Sequence, residues 1–302
     1  MRPLAGRRRR SARARGALVS VATLAVLAAL LAGQWLLAGD ACAAPSQSGA
    51  AVRTSSDWLH VLDVIAGLKA DPPPVPVVYL LGGSAARECT VSDTSWAAQV
   101  LQRGGPTVLT FNLGSIHQSF RQDLTIVPML PAIPSITFIG LNFGRFTSTA
   151  GPTRAERYTQ HHYSIRHILS NAKKRWLVTD WLKRRYPVFK ARFSYGLSLL
   201  DQLIAACQQS DLHPVLLELP LNLQIVGHAF DAPRAQIRSA CQALAKKYQI
   251  PYLDFVQKAG MVSGDFYDLV HLVEPGRVKY QRRLCGQSAD LLRQYGMEGS
   301  NL

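Results

Sequence analysis

Short apolar, largely β-branched runs alternate along this chain with segments whose apolar residues recur every three to four positions. The runs occupy residues 77–81, 107–112, 135–141, 214–219 and 251–255. The helically spaced segments lie near 92–103, 118–130, 196–210, 232–249 and 276–295. A strand that is apolar at every residue has both faces buried, and such strands separated by helices form a parallel sheet covered on both sides. The pattern therefore predicts an α/β domain over residues 76–296, built on a five-stranded parallel sheet with helices on both faces. Ahead of it, "SDWLHVLDVIAGLKA" (56–70) carries helical spacing behind a Ser/Asp start, and "DPPPVP" (71–76) stops it. With the Ser-, Ala- and Gly-rich stretch before it, residues 45–75 read as a tether and leading helix. No internal repeat is evident.

One segment breaks the rhythm. Residues 143–195 lie between the third and fourth strands and are far longer than an ordinary connection. Within them, residues 153–195 carry eleven Lys/Arg against Glu156 and Asp180, interleaved with Trp176, Trp181, Tyr186, Phe189, Phe193 and Tyr195. This composition predicts a basic helical insertion of one or two amphipathic helices. Either it is a lid or surface element that meets anionic lipid or polymer, or it is a solvated basic face whose aromatics pack inward.

The front of the chain says where the rest works. Residues 1–16 hold seven arginines and no acid, and residues 17–38 hold no charge over a length that crosses a bilayer. Arginines ahead of an apolar run keep the N-terminus cytoplasmic and send the chain beyond the run outside. Residues 1–44 are thus either a signal peptide, cut near Ala41–Ala44 by the small-residue rule, or an uncleaved anchor whose apolar run exceeds a usual signal core. Cys42 would suit a lipoprotein, but Asp40 two residues earlier fits that poorly. Either way the domain is extracytoplasmic, attached to the cell membrane by one N-terminal helix or secreted.

That placement changes how the charge of +15 is read. Seven arginines and Asp40 in residues 1–44 supply +6 of it, leaving +9 for the exported part. Outside the cell the expected partners are an anionic membrane surface or envelope polymer, not nucleic acid. Cys89, Cys207, Cys241 and Cys285 lie beyond the leader. In an oxidising compartment they form two disulfides of unassignable pairing, or they are four buried thiols.

Catalytic groups in open α/β sheets stand just beyond the carboxyl ends of strands. The first run ends in Gly82, Gly83 and Ser84, the second leads into "FNLGSIHQS" and the third into "IGLNFG". A short loop after the fifth brings "FYDLVHLVEPG", with Asp268 and His271. Acyl transfer needs this set. A serine hydroxyl requires a base within reach, histidine serves as that base near neutrality, and a carboxylate holds the imidazole in one tautomer. Ser84, His271 and Asp268 fit those roles. The N–H groups of Ser84 and Gly114 and the Asn142 amide are candidates for the oxyanion hole.

In these blocks the sequence resembles the SGNH (GDSL-type) hydrolases. Ser84 sits in "GGSA", Gly114 in "NLGS", Asn142 in "GLNF" and the Asp268–His271 pair in "DLVH". The four blocks occur in the family's order between about residues 77 and 294. Phe143 stands where the family's Gly-x-Asn-Asp block ends in Asp, and Gly83 stands where Gly-Asp-Ser has its Asp. The resemblance implies a three-layer, flavodoxin-like fold, a Ser84/His271/Asp268 triad and an oxyanion hole of Ser84, Gly114 and Asn142. It implies no metal and no organic cofactor. With a leading apolar segment, "LPLN" (Leu219–Asn222) and "DLVHLVEPG", the chain also looks like SGNH domains of cell-envelope O-acylation, such as the D-alanyl-lipoteichoic acid export protein.

Plainer roles exist for the same residues. Ser84 could cap a helix, Asn142 could stabilise a turn, and Asp268 could cap the segment holding His271. Gly82-Gly83-Ser84 could cradle a phosphate at a helix N-terminus, but the absence of a lysine at Walker spacing speaks against a phosphate loop. The nucleophile elbow of α/β-hydrolases expects a glycine where Ala86 stands. His161, His162 and His167 have no acid or cysteine at zinc spacing, and Glu218 at a strand end is a reserve acid. The sequence thus points to an extracytoplasmic serine esterase or O-acyltransferase acting on acyl esters of envelope glycans or lipids. A catalytically silent module of the same fold that binds glycan or polyanion is the alternative.

Overall fold

The computed structural model describes residues 57–147 and 168–297. The leader, most of the tether and the three insertion histidines lie outside the described residues. Helix α1 (Asp57–Ala70) precedes β1 (Val77–Gly82), as the spacing and the prolines at 72–74 predict. Next come α2 (Ser84–Arg87), α3 (Asp93–Gln102), β2 (Leu109–Gly114), α4 (Phe120–Ile126), β3 (Ser135–Leu141) and α5 (Phe143–Thr147). After residues 148–167 come α6 (Asn171–Asp180), a π-helical turn (Trp181–Arg185) and α7 (Tyr186–Gln209). The remainder is β4 (Leu212–Glu218), α8 (Leu223–Val226), α9 (Asp231–Tyr248), β5 (Tyr252–Leu253) and α10 (Glu274–Gln294).

The five strands form one parallel sheet in the order β2-β1-β3-β4-β5. This is the flavodoxin-like order, with its switch point between β1 and β3. Alternate residues of one strand enter opposite layers: Val77, Tyr79 and Leu81 join the core under α1, α4, α7 and α9, whereas Val78 and Leu80 join the core under α3 and α10. Both faces are therefore covered, and so these strands read as unbroken apolar runs. The register ends β1 and β2 level, with Gly82 opposite Gly114, and pairs Leu141 with Glu218, so the strand ends open on one rim.

Most boundaries shift by a few residues, and two differ more. The helix expected at 196–210 begins at Tyr186, because residues of the insertion continue its turns and Pro187 sits in its first turn, where a missing N–H costs nothing. The fifth strand shrinks to two residues at the sheet edge, where only β4 is available to pair with it. The insertion aromatics divide. Trp181, Tyr186, Phe189 and Phe193 pack with Phe143, Phe146 and Phe230, while Trp176 and Tyr195 face outward, 49% and 45% exposed. The four cysteines are buried free thiols on both faces of the sheet, so the disulfide alternative does not hold here. Among the described residues no helix is long and apolar enough to cross a membrane.

Candidate active site

Ser84 is joined to β1 through Gly82 and Gly83. Helix α2 folds back so tightly that a Cβ on Gly82 would lie 2.5 Å from Ala86 Cβ. A Cβ on Gly114 would lie 2.7 Å from the Arg87 nitrogen, so glycine is required on both strands beneath the turn. Gly83 is the N-cap, and its carbonyl accepts from Ala86 and Arg87. Ser84 is thus the first helical residue and not the cap. Its hydroxyl, with no capping bond to make, is hydrogen bonded to His271 Nε2 at 2.9 Å.

The other half comes from the loop before α10. An isolated antiparallel bridge pairs Phe266 with Leu272, and Tyr267 N–H donates to the His271 carbonyl at 2.8 Å, closing the loop. Within it, Asp268 Oδ1 accepts the N–H groups of Val270 and His271, both at 2.9 Å. Oδ2 meets His271 Nδ1 at 2.8 Å. The Asp-x-x-His spacing has a local reason: the short carboxylate both builds the turn and orients the ring three residues on. Burial by itself would raise the Asp268 carboxyl. The hydrogen bond and charge of His271 and the two backbone N–H groups outweigh burial and hold it below the usual carboxylate range. Ser84, His271 and Asp268 therefore form one continuous hydrogen-bonded chain across sequence separations of 187 and 3.

The candidate oxyanion donors fare differently. Ser84 N–H, in the first turn of α2, has no partner among the described residues. The Asn142 side-chain oxygen accepts the Arg145 N–H at 3.1 Å, capping α5 and leaving the amide NH2 as its donor end. Gly114 is a correction: its N–H donates to Asn112 Oδ1 at 3.1 Å. The glycine is there for close packing against α2, as its missing Cβ shows. Asn112 in turn donates to the Ala86 carbonyl and to Thr90 Oγ1, tying the turn that carries Ser84 to β2. Phe143, next to Asn142, packs its ring with Trp181, Phe189 and Phe230.

Several supports hold the loop and the rim, and of these only "LPLN" stands out in the sequence. Asn222, at the end of "LPLN", is buried; its N–H donates to the Leu269 carbonyl and its amide to the Asp268 carbonyl and Ser263 Oγ. Lys174, one of eleven basic residues in its segment, is 1% exposed and donates to the carbonyls of Ser263 and Phe266 at 2.7 and 2.8 Å. Asp123 of α4 and Arg145 of α5 form a buried ion pair, joined by Gln118 from the loop before α4. The sequence around Lys174, Asp123 and Arg145 carries no signal of the Lys174 and Asp123–Arg145 contacts, which join residues 22 to 92 positions apart. Glu218 bonds Tyr252 and lies beside Arg238, apart from the Ser84–His271–Asp268 chain. No group of three or more potential metal ligands occurs among the described residues.

No family model and no curated sequence matches the chain. Solved structures similar to it include a lipase/acylhydrolase from Enterococcus faecalis, at 12% identity and TM-score 0.42, covering 70% of this chain and 97% of that one. A GDSL-like lipase from Bacteroides thetaiotaomicron is similar at 11% identity and TM-score 0.44, covering 78% and 97%. An acetylxylan esterase from Geobacillus stearothermophilus is similar at 12% identity and TM-score 0.45, covering 74% and 97%.

Proposed function

We propose that this chain is an SGNH-type serine esterase or O-acyltransferase that works outside the cytoplasm on acyl esters of cell-envelope glycans or lipids. The observation that carries the reading is the chain from Ser84 Oγ through His271 to Asp268, with bonds of 2.9 and 2.8 Å. A serine that only capped its helix would have no reason to meet a histidine from a loop 187 residues away. Nor would a silent binding module need the tautomer of that histidine fixed.

In this reading His271 Nε2 takes the Ser84 proton as Oγ bonds to the ester carbonyl carbon. The carbonyl oxygen becomes an oxyanion held by the Ser84 N–H and the Asn142 amide. Collapse expels the alkoxide, which takes the proton from His271 and leaves an acyl-serine. Water, or a sugar or polyol hydroxyl, then gives its proton to His271 and attacks that ester, releasing acid or a transferred ester and free Ser84. Asp268 stays ionised throughout and stabilises the imidazolium formed in each half. Choice between water and a hydroxyl acceptor rests on the acceptor's access, since the same three residues serve both.

Exposed Lys173, Arg175, Lys183, Arg184, Arg185 and Lys190, with the outward Trp176, support docking on an anionic membrane surface or envelope polymer. The leader, with its arginines and apolar run, supports an anchored or secreted placement. Turnover of p-nitrophenyl acetate tests the enzyme. The wild type should saturate, and Ser84→Ala and His271→Ala should each lose about a thousandfold or more in kcat. Equal turnover by the wild type and both variants would remove Ser84 from the chemistry. Co-sedimentation with phosphatidylglycerol vesicles that fades above about 0.3 M salt tests the basic face. Salt-independent binding would contradict it.

A further inference from the structure

We infer that the site takes a small acyl group, of two or three carbons, in a cavity that starts at Asn142. The inference rests on the serine-enzyme reading above and names the acyl side of its substrate. The cavity lies under the carboxyl ends of β3 and β4, walled by Leu219, Leu221, Ile237, Val256 and Val270. Asn142 is part of its lining, and Val270 belongs to the Asp268–His271 turn. Leu219 links the wall to the nucleophile: its side chain lies 3.8 Å from where a Cβ on Gly82 would be, two residues before Ser84. A carbonyl held by Asn142 on Ser84 therefore stands at the mouth of this space.

Size and chemistry both limit what can enter. The room inside for the centre of a water-sized group is about 30 Å³, enough for about two such groups. The methyl of an acetyl or the ethyl of a propionyl fits that. A butyryl or longer chain does not fit without moving side chains that are nearly fully buried, such as Leu219, Leu221 and Ile237. Part of the lining is also wrong for alkyl. Glu218 and Arg234 line the cavity, and Glu218 Oε2 and Arg234 Nη2 have no protein partner among the described residues. Methylenes pressed against them would strip these polar atoms of any other hydrogen bond.

The test is the acyl-length profile of kcat/KM with p-nitrophenyl acetate, propionate, butyrate and hexanoate. A single methylene in a tight apolar site is worth roughly 10–200-fold, so each step beyond propionate should lose at least tenfold. Ile237→Ala should enlarge the cavity and move the best substrate to butyrate. Val256→Ala, a smaller truncation of the same wall, serves if Ile237→Ala does not fold, and thermal melts decide which variant is used. Equal rates for acetate and hexanoate, or an unchanged optimum in a folded wall variant, overturns the small-acyl pocket and leaves the serine enzyme standing. No turnover of any ester, with no adduct from a serine-reactive phosphonate, overturns the serine enzyme and this inference together.

Discussion

Replacing Asp268 by asparagine separates what the carboxylate does for the fold from what it does for the reaction. The amide keeps an oxygen for the N–H groups of Val270 and His271, now at 2.9 Å, so the turn should survive. Its NH2 would face His271 Nδ1, at the place of the present 2.8 Å contact. The ring must then accept there and carry its proton on Nε2, pointing a donor at Ser84 Oγ. The base is lost to the wrong tautomer. The imidazolium also loses a carboxylate at contact distance, worth about 4 kcal/mol at an effective dielectric near 20. At about 1.4 kcal/mol per decade, this is about a thousandfold, and the tautomer adds to it, so a total loss of about 10³–10⁴ in kcat is expected. The assay is kcat and kcat/KM on p-nitrophenyl acetate across pH 5–9, with a thermal melt to show an unchanged fold. Because Asp268 titrates below the usual carboxylate range, wild-type activity should show no loss from this group until the pH falls below that range. A folded Asp268→Asn variant within tenfold of wild type would refute the assignment of Asp268.

Other substitutions probe the supports. Lys174→Met leaves the Phe266 carbonyl without its donor in a buried place and the Ser263 carbonyl with only the Phe266 N–H, so urea unfolding should show a loss of about 1–3 kcal/mol. The loop holding Asp268 should loosen with it, and kcat should fall further than KM rises. An unchanged melt and unchanged kcat would show that the lysine supports nothing. Gly82→Ala forces a methyl to 2.5 Å from Ala86 Cβ; moving α2 to relieve it should cost about 1–3 kcal/mol and lower kcat, and wild-type kinetics would contradict the packing argument. Burial pushes the Asp93 carboxyl up to about 6, against a smaller opposing effect of the hydrogen bond from Asn112 N–H. A folded-state value above the unfolded one means the folded chain binds this proton more tightly, so its contribution falls as pH rises from about 4 to 6 and stays low above that. Asp93→Asn keeps the acceptor and loses the charge, so it should raise stability at pH 8 by about 1–3 kcal/mol and leave pH 4 nearly unchanged. Equal urea midpoints for the two proteins at pH 8 would contradict that.

What is legible in the sequence is what local rules govern. Largely apolar runs such as 77–81 and 135–141 tell of a sheet buried on both faces, and strand-end residues tell which rim carries the candidate site. Ser84, Asp268 and His271 are visible because each sits where a strand end or a short turn places it, and Asp-x-x-His closes within one loop. Gly114 misleads because a glycine after a strand looks the same whether it offers its N–H or clears space. Only the fold shows α2 lying on it and Asn112 taking the N–H. Lys174 is invisible for a different reason. Its segment is basic throughout, and only packing distinguishes the one ammonium turned inward to two carbonyls 89 and 92 residues away. The start of α7 is hidden because Pro187 and the basic cluster look like a break, whereas a proline in the first turn of a helix is compatible with it.

The most direct test of the central claim is covalent labelling of residues 45–302 with a fluorophosphonate, read by intact mass and peptide mapping. The account predicts one adduct per chain, on Ser84, absent in Ser84→Ala and formed about a hundredfold or more slowly in His271→Ala. An adduct on another residue, or none on a protein whose melt shows it folded, would contradict the assignment of Ser84 as nucleophile.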